Sequence, residues 1–409
     1  MKKSWITASL INFFIASFLG VLLRYAFVGS LHPLEYRNIL HAHSHMSLLG
    51  WLFMILFVMM VHRFVPKEKA DLPIYSRLFW SNQVILLVMT ISFILYGYRM
   101  MSIVISTLHF VVAYMKIYRL IRDSNQKHTF SGKLFLTSLF WLAFSTLGVW
   151  CIGPAIVYFG RNSEFYFWCI QFFLHFQFNG WFIFGVLSIF FNEWEKAGTP
   201  YSKSLTNRFY WLMVVSCFFT YTLAVTWSSP EEILFTINST GVVIQLLALI
   251  VFLQILRQGK ERLKENFHHP ITWFIVLALA SFIAKIAAQS ILVIPWIAVV
   301  SYTIRLFVIG FIHLTLLGIV TCFVFDYFIR HQVILIQHLY VKMALWLFII
   351  AYAGTELLLF TQGLFLWIER GFLPGYYQNI FYLSALFPVA LGILILHRIK
   401  GIKRTTISK

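Results

Sequence analysis

Acidic residues are scarce in this chain, with 14 Asp and Glu among 409 residues, and all charged types together reach only 11%. Soluble proteins carry about a quarter, because a water-facing surface has to be coated with charge. This chain cannot coat one, which excludes a soluble globular domain. Its acids, among them Glu35, Glu68, Asp71, Glu193, Glu195, Glu231, Glu232, Glu261 and Glu265, are nearly all at the ends of apolar runs or in connections, and only Glu356 lies deep inside a run. Cysteine is equally rare. Cys151, Cys169, Cys217 and Cys322 sit inside apolar runs without CxxC spacing, which argues against a disulfide framework and against a thiolate metal site. Linkers, low-complexity stretches and a convincing internal repeat are missing too, so the chain reads as one domain, residues 1–409. No small-residue cleavage site follows Met1-Lys2-Lys3-Ser4, and the apolar run behind it, to about Val28, reads as a first membrane helix rather than a signal peptide.

What the chain has is apolar length: 60% of its residues are hydrophobic. About 20 apolar residues in a helix span the hydrocarbon core, since each rises about 1.5 Å and the core is about 30 Å thick. Twelve such runs lie near residues 5–28, 40–62, 76–98, 101–121, 133–159, 164–191, 207–227, 232–256, 270–294, 297–328, 337–367 and 377–397. Backbone groups in lipid must be satisfied internally, so these are expected to be helices, and the fold class is all-α and polytopic.

A net charge of +18 raises the question of nucleic acid. The Lys and Arg residues fall in short clusters between runs rather than along one face, so no nucleic-acid partner is expected and the partner is the lipid bilayer. Alternate connections are basic, from Lys2/Lys3 through Arg63/Lys67/Lys69/Arg77, Arg119/Arg122/Lys127/Lys133, Lys196/Lys203/Arg208, Arg257/Lys260/Arg262/Lys264 and Arg330/Lys342 to Arg398/Lys400/Lys403/Arg404. The positive-inside rule then places both termini in the cytoplasm of a bacterial inner membrane.

Ionisable groups inside a bilayer are expensive and mark functional candidates. His41, His43 and His45 open the second run, His109 lies in the fourth, His175 in the sixth and His313 in the tenth, all in the outer half. His41 and His45, four apart, share one helix face, and His43 points roughly the other way. Three histidines at the start of a membrane helix cost too much to be filler, and neutral imidazole is a common ligand of copper, zinc and haem iron. A lone histidine such as His109 ordinarily makes a polar contact between helices. His175 stands one turn before Asn179, whose amide can orient the ring; polar packing is an equal reading. Lys285 and Glu356 are expected either to pair or, for the carboxylate, to carry protons. Arg24, Arg99, Arg161, Arg305 and Arg370 gather at the outer boundary, where arginine either forks onto haem propionates or snorkels to headgroups. The pair His268-His269 in a basic connection is a further, remoter metal candidate.

Twelve helices with cytoplasmic termini, together with Ser44-His45-Met-Ser-Leu-Leu-Gly50-Trp51 and Ile309-Gly-Phe-Ile-His313-Leu-Thr-Leu-Leu-Gly318, resemble subunit I of haem-copper oxidases and nitric oxide reductases. The likeness in topology covers nearly the whole chain and that in sequence only short motifs. The start of the second run, His41-Ala-His43 with Gly50 beyond, also looks like the NnrS family of haem- and copper-binding membrane proteins. The resemblance implies a b-type haem held by His45 and His313, with Arg305 near its propionates, and a second metal, copper, near His41, His43, His109 and His175. It also implies a quinol or cytochrome electron donor, other membrane subunits and chemistry on oxygen or nitric oxide, that is, an oxidoreductase. The chain departs from the pattern at Phe311, where the ligand of a high-spin haem would stand, and at Ser228 to Glu232, where paired copper ligands would stand. Oxygen reduction by this chain alone is therefore expected to be weak or absent, and electron transfer is the leading expectation. A transporter that uses the histidines as a metal or proton site, or a non-catalytic subunit of a membrane complex, is the competing one.

Overall fold

The computed structural model describes residues 1–261 and 273–407, the side chains from 400 onward excepted. Arg262, Lys264, Glu265, His268 and His269 lie outside the described residues, as do the side chains of Lys400, Lys403 and Arg404. Among the described residues there is no strand. Among the described residues, twelve helices are long and apolar enough to cross a membrane: α1 (Lys3–Tyr25), α2 (Tyr36–Phe64), α3 (Pro73–Tyr96), α4 (Met100–Asp123), α5 (Phe130–Phe159), α6 (Glu164–Lys196), α7 (Lys203–Val225), α8 (Glu232–Gln258), α9 (Trp273–Ile291), α10 (Arg305–Arg330), α11 (Leu339–Trp367) and α12 (Tyr376–Ile399).

Local signals set the ends. The hydroxyls of Thr129, Ser163 and Ser202 accept backbone N–H bonds at the starts of α5, α6 and α7, at 3.0, 3.2 and 3.4 Å. Gly97 and Gly160, with φ of +63° and +87°, stop α3 and α5 in a conformation that glycine adopts without strain. The tenth run differs from its expected form. It is two helices, Pro295–Thr303 and then α10, parted at Ile304, whose backbone is extended (φ −86°, ψ 92°).

The chain divides into two compact units, Met1–Asn125 with Tyr327–Lys409, and Gln126–Asp326. In the first, α1 packs between α2 and α12, α3 packs on α2 and α4, and α11 packs on α12. In lipid this association comes from close packing rather than from expelled water. Trp5 stacks on Phe79 with ring centroids 4.9 Å apart, and Phe13 on Trp51 at 4.6 Å. In the second unit α5 packs on α6, α7 on α8, and α8 on α9. Its core gathers Trp141, Phe176, Phe184, Phe191, Phe209 and Phe252. Trp141 lies flat on Phe176 at 5.1 Å.

One irregularity recurs. Among the described residues three helices carry a stretch of π-helix: Met46–Phe53 in α2, Phe176–Phe182 in α6 and Leu314–Thr321 in α10. Each begins at the residue after a histidine, namely His45, His175 and His313, and each has glycine five residues after that histidine. Each also rests against the helix before it, α1, α5 or α9. The same device thus appears in the second helix of every successive set of four.

Candidate functional site

The face of α2 that carries His41 and His45 is built from its own backbone. His45 Nδ1–H donates to the His41 carbonyl at 2.9 Å, one turn earlier. That bond fixes the tautomer and leaves the Nε2 lone pair as the coordinating atom of the ring. Phe93 packs on the His45 ring at 4.3 Å and Tyr98 on the His41 ring at 4.8 Å. His41 Nε2 is buried and has no hydrogen-bond partner among the described residues, an arrangement that costs about 1–3 kcal/mol unless something fills it. One helix face thus holds one imidazole set up to coordinate and a second with an unmet polar atom.

Contacts with α1 steady that face. Within the π stretch behind His45, the Gly50 carbonyl accepts from Asn12 Nδ2 of α1 at 2.8 Å. A Cβ at Gly50 would meet Met46 Sδ, so a larger residue there requires the Met46 side chain to shift. His43 points the other way, as its position in the helix requires. Its Nδ1 meets the Ala16 carbonyl at 2.8 Å, and its ring lies against Gly20, where an added Cβ would come within 3.0 Å. His43 therefore fastens α2 to α1 and is not brought to the His41/His45 face.

His109 is deeply buried in the same unit, and its Nδ1 accepts from Asn82 Nδ2 at 2.8 Å. The other end of that amide, Oδ1, accepts from Lys116 Nζ at 2.6 Å. Lys116 lies over Phe53 and Phe57 at 4.8 and 4.4 Å, and donates to Met54 Sδ at 3.3 Å. His109 is within electrostatic reach of His45.

In the second unit His175 has both nitrogens engaged. Nε2–H donates to the Cys217 carbonyl at 2.8 Å, and Nδ1 accepts from Asn179 Nδ2 at 3.2 Å, the amide expected one turn along. A metal at His175 would have to displace one of these bonds, so the geometry is that of polar packing between α6 and α7. His313 is half-buried at the start of its π stretch. Lys285 donates to Gln289 Oε1 at 2.7 Å and lies 5.6 Å from the face of Phe311. Phe311 thus offers a π face to a cation where the resemblance would have an iron ligand. Arg305 begins α10 and is exposed. In the connection after α7, Ser229 Oγ is hydrogen-bonded to the Glu164 carboxylate.

Among the described residues, no group of three or more His, Cys, Asp or Glu side chains converges to hold a metal ion. The expected second metal near His41, His43, His109 and His175 has no such cluster behind it. Two apolar grooves, one lined by Ile74, Tyr114 and Arg119 and the other by Pro230, Phe235 and Val293, have no histidine in their walls. Sequence reasoning passed over Asn82 and Lys116, and the recurrence of His-x4-Gly; the last was the signal that would have linked His45, His175 and His313. No protein-family model matches the chain, and no curated protein matches it.

Proposed function

We propose that the chain is a membrane redox protein that binds a b-type haem, with His45 as one iron ligand and His313 as the other that the resemblance implies. The observation that carries this is the tautomer of His45: its Nδ1–H is held by the His41 carbonyl, which points the Nε2 lone pair away from the backbone. Haem iron ligated by two neutral imidazoles takes up and gives back one electron and keeps no open position for substrate. The protein's part is to hold the ring plane with Phe93 and to fix the proton on Nδ1. Phe311 and the Ser228 to Glu232 connection favour electron transfer over oxygen reduction, with a quinol or a cytochrome as donor and a bacterial inner membrane as the setting.

The test is an optical spectrum of protein purified from haem-replete cells, followed by variants. Soret and α bands are expected in the wild type, lost or shifted in His45→Leu and His313→Leu, and kept in His397→Ala and in His43→Leu, which is expected only to loosen α2 from α1. A haem-free wild type, or bands unmoved in the His45 variant, overturns the reading. A proton or metal transporter is the second reading, and one observation favours it: a buried seam of polar side chains between α3 and α4.

A further inference from the structure

The buried face of α4 carries a polar side chain at every seventh position: Ser102, His109, Lys116 and Asp123, all buried. Opposite, α3 buries Tyr75, Asn82 and Met89, also seven apart. The pairs interlock. Tyr75 OH donates to Asp123 Oδ2 at 3.0 Å, and Arg119 pairs with the same oxygen at 2.9 Å. One level deeper, Asn82 spans His109 and Lys116. Lys116 has no carboxylate against it among the described residues, only the amide, a thioether and two rings. A fixed charge so placed is costly, and such groups in a membrane mark proton-handling sites.

We propose that Lys116, Asn82 and His109 form a proton-binding site that holds one proton in common between an amine and an imidazole. The reason is the asymmetry of the bridge. A carboxamide has one accepting end and one donating end. With Oδ1 toward Lys116, the amine donates and Nδ2–H is left for His109, whose Nδ1 must then be a bare lone pair. With the amide turned half a rotation, Oδ1 accepts an Nδ1–H of protonated His109, and Nδ2–H needs the lone pair of a neutral amine. Both groups cannot be charged, because one N–H would then face another across the bridge. The balance is simple: the N–H bond lost at Nζ is replaced by one gained at Nδ1, and the net charge of the pair stays at one. The turn of Asn82 carries no proton itself; it selects which of the two nitrogens the shared proton rests on, and those are the nitrogens its amide bridges at 2.6 and 2.8 Å. The charged or titratable groups facing the pair are His45 from α2, toward His109, and the Asp123, Arg119 and Tyr75 cluster two turns beyond Lys116. The site does not depend on the haem reading: none of its three members is proposed to touch iron, and His109, with Nδ1 engaged by Asn82 and no cluster of metal ligands around it among the described residues, is not proposed as a metal ligand.

The test is side-chain nitrogen NMR of protein reconstituted in lipid, labelled at Lys Nζ and the His ring nitrogens, from about pH 5 to 9, the span over which histidine ordinarily titrates. Lys116 and His109 are expected to hold one proton between them throughout. Lys116→Met frees Oδ1 for His109, so His109 is expected to protonate at higher pH than in the wild type. Asn82→Asp supplies an acceptor to both groups, and both are expected to be charged. Two charged groups or two neutral ones in the wild type, or a His109 titration unmoved by Lys116→Met, overturns the proposal. Lys116→Met is the variant to rely on should changes at Asn82 disturb folding, because it fits an apolar side chain into a cage of Phe53, Met54 and Phe57.

Discussion

Asn12 and Gln83 close a ring of two hydrogen bonds between α1 and α3, with Asn12 Nδ2 to Gln83 Oε1 at 2.9 Å and Gln83 Nε2 to Asn12 Oδ1 at 2.7 Å. Asn12 Nδ2 also donates to the Gly50 carbonyl in the π stretch of α2. Replacing Asn12 therefore orphans groups on two other helices. Asn12→Leu is expected to lower stability in detergent by about 1–3 kcal/mol for each buried group left unsatisfied. Adding Gln83→Leu is expected to restore part of that loss, since it removes one of the orphans. Thermal or denaturant unfolding of the two variants decides; equal stability of the single variant and wild type would mean that the ring contributes nothing.

The glycines of α5 and α6 give a matched pair of substitutions. A Cβ at Gly180 would come within 2.6 Å of the Trp141 ring, whereas one at Gly153 meets nothing within 4 Å. Gly180→Ala is expected to cost about 1–3 kcal/mol through overpacking. Gly153→Ala is expected to cost less than Gly180→Ala, its strain being only that of a helical Cβ beside Pro154. Melting curves that rank the two the other way would contradict the packing of Trp141 on Phe176.

Tyr201, in the connection before α7, donates to Glu195 Oε1 at 2.8 Å. Burial first, and then the hydrogen bond and charge of Glu195, push its hydroxyl above the usual tyrosine value. The group is an acid whose neutral form the fold prefers, so its contribution is full below the ordinary value near about 10 and fades as pH rises through the folded one. Tyr201→Phe should thus be less stable than wild type at neutral pH, with the two curves converging in the alkaline range. A gap that stays constant to the alkaline end would show that the hydroxyl does not titrate in this way.

The alternating basic connections make a topological prediction. Reporters fused after Lys69 and after Glu232 are expected on opposite faces of the membrane, the first inside. Both on one face would break the helix count.

Length and hydropathy made the twelve spans legible, and the expected and observed ends agree within a few residues for most of them. The tenth run shows where that signal stops. Apolar residues continue through Ile304, so composition cannot see a break that lies in two backbone angles. The same holds for the π stretches, which are a matter of hydrogen-bond register and not of residue class. The histidines were legible as costly groups, and the one-turn relation of His175 to Asn179 held because it follows from helix geometry alone. What their second nitrogens do was not legible, because it depends on carbonyls such as those of Ala16 and Cys217 on other helices. Lys116 stayed hidden for a different reason. It lies near the basic end of its run, where a lysine is ordinarily a snorkelling charge, and only the pairing of α3 with α4 turns it inward.

The π stretches also carry a consequence for how these helices can change. A regular helix turns about 100° with each residue, so an inserted or deleted residue ordinarily swings everything beyond it onto a new side. A π stretch absorbs one residue of mismatch, leaving the segments before and after it separately phased. In α2 the turn bearing His41 and His45 is thereby set independently of the tightly packed turn from Met54 onward. Deleting one residue such as Ser47 would convert the stretch toward regular helix, and with the Met54 end anchored it would swing both imidazoles by about a quarter of a turn away from Phe93 and Tyr98.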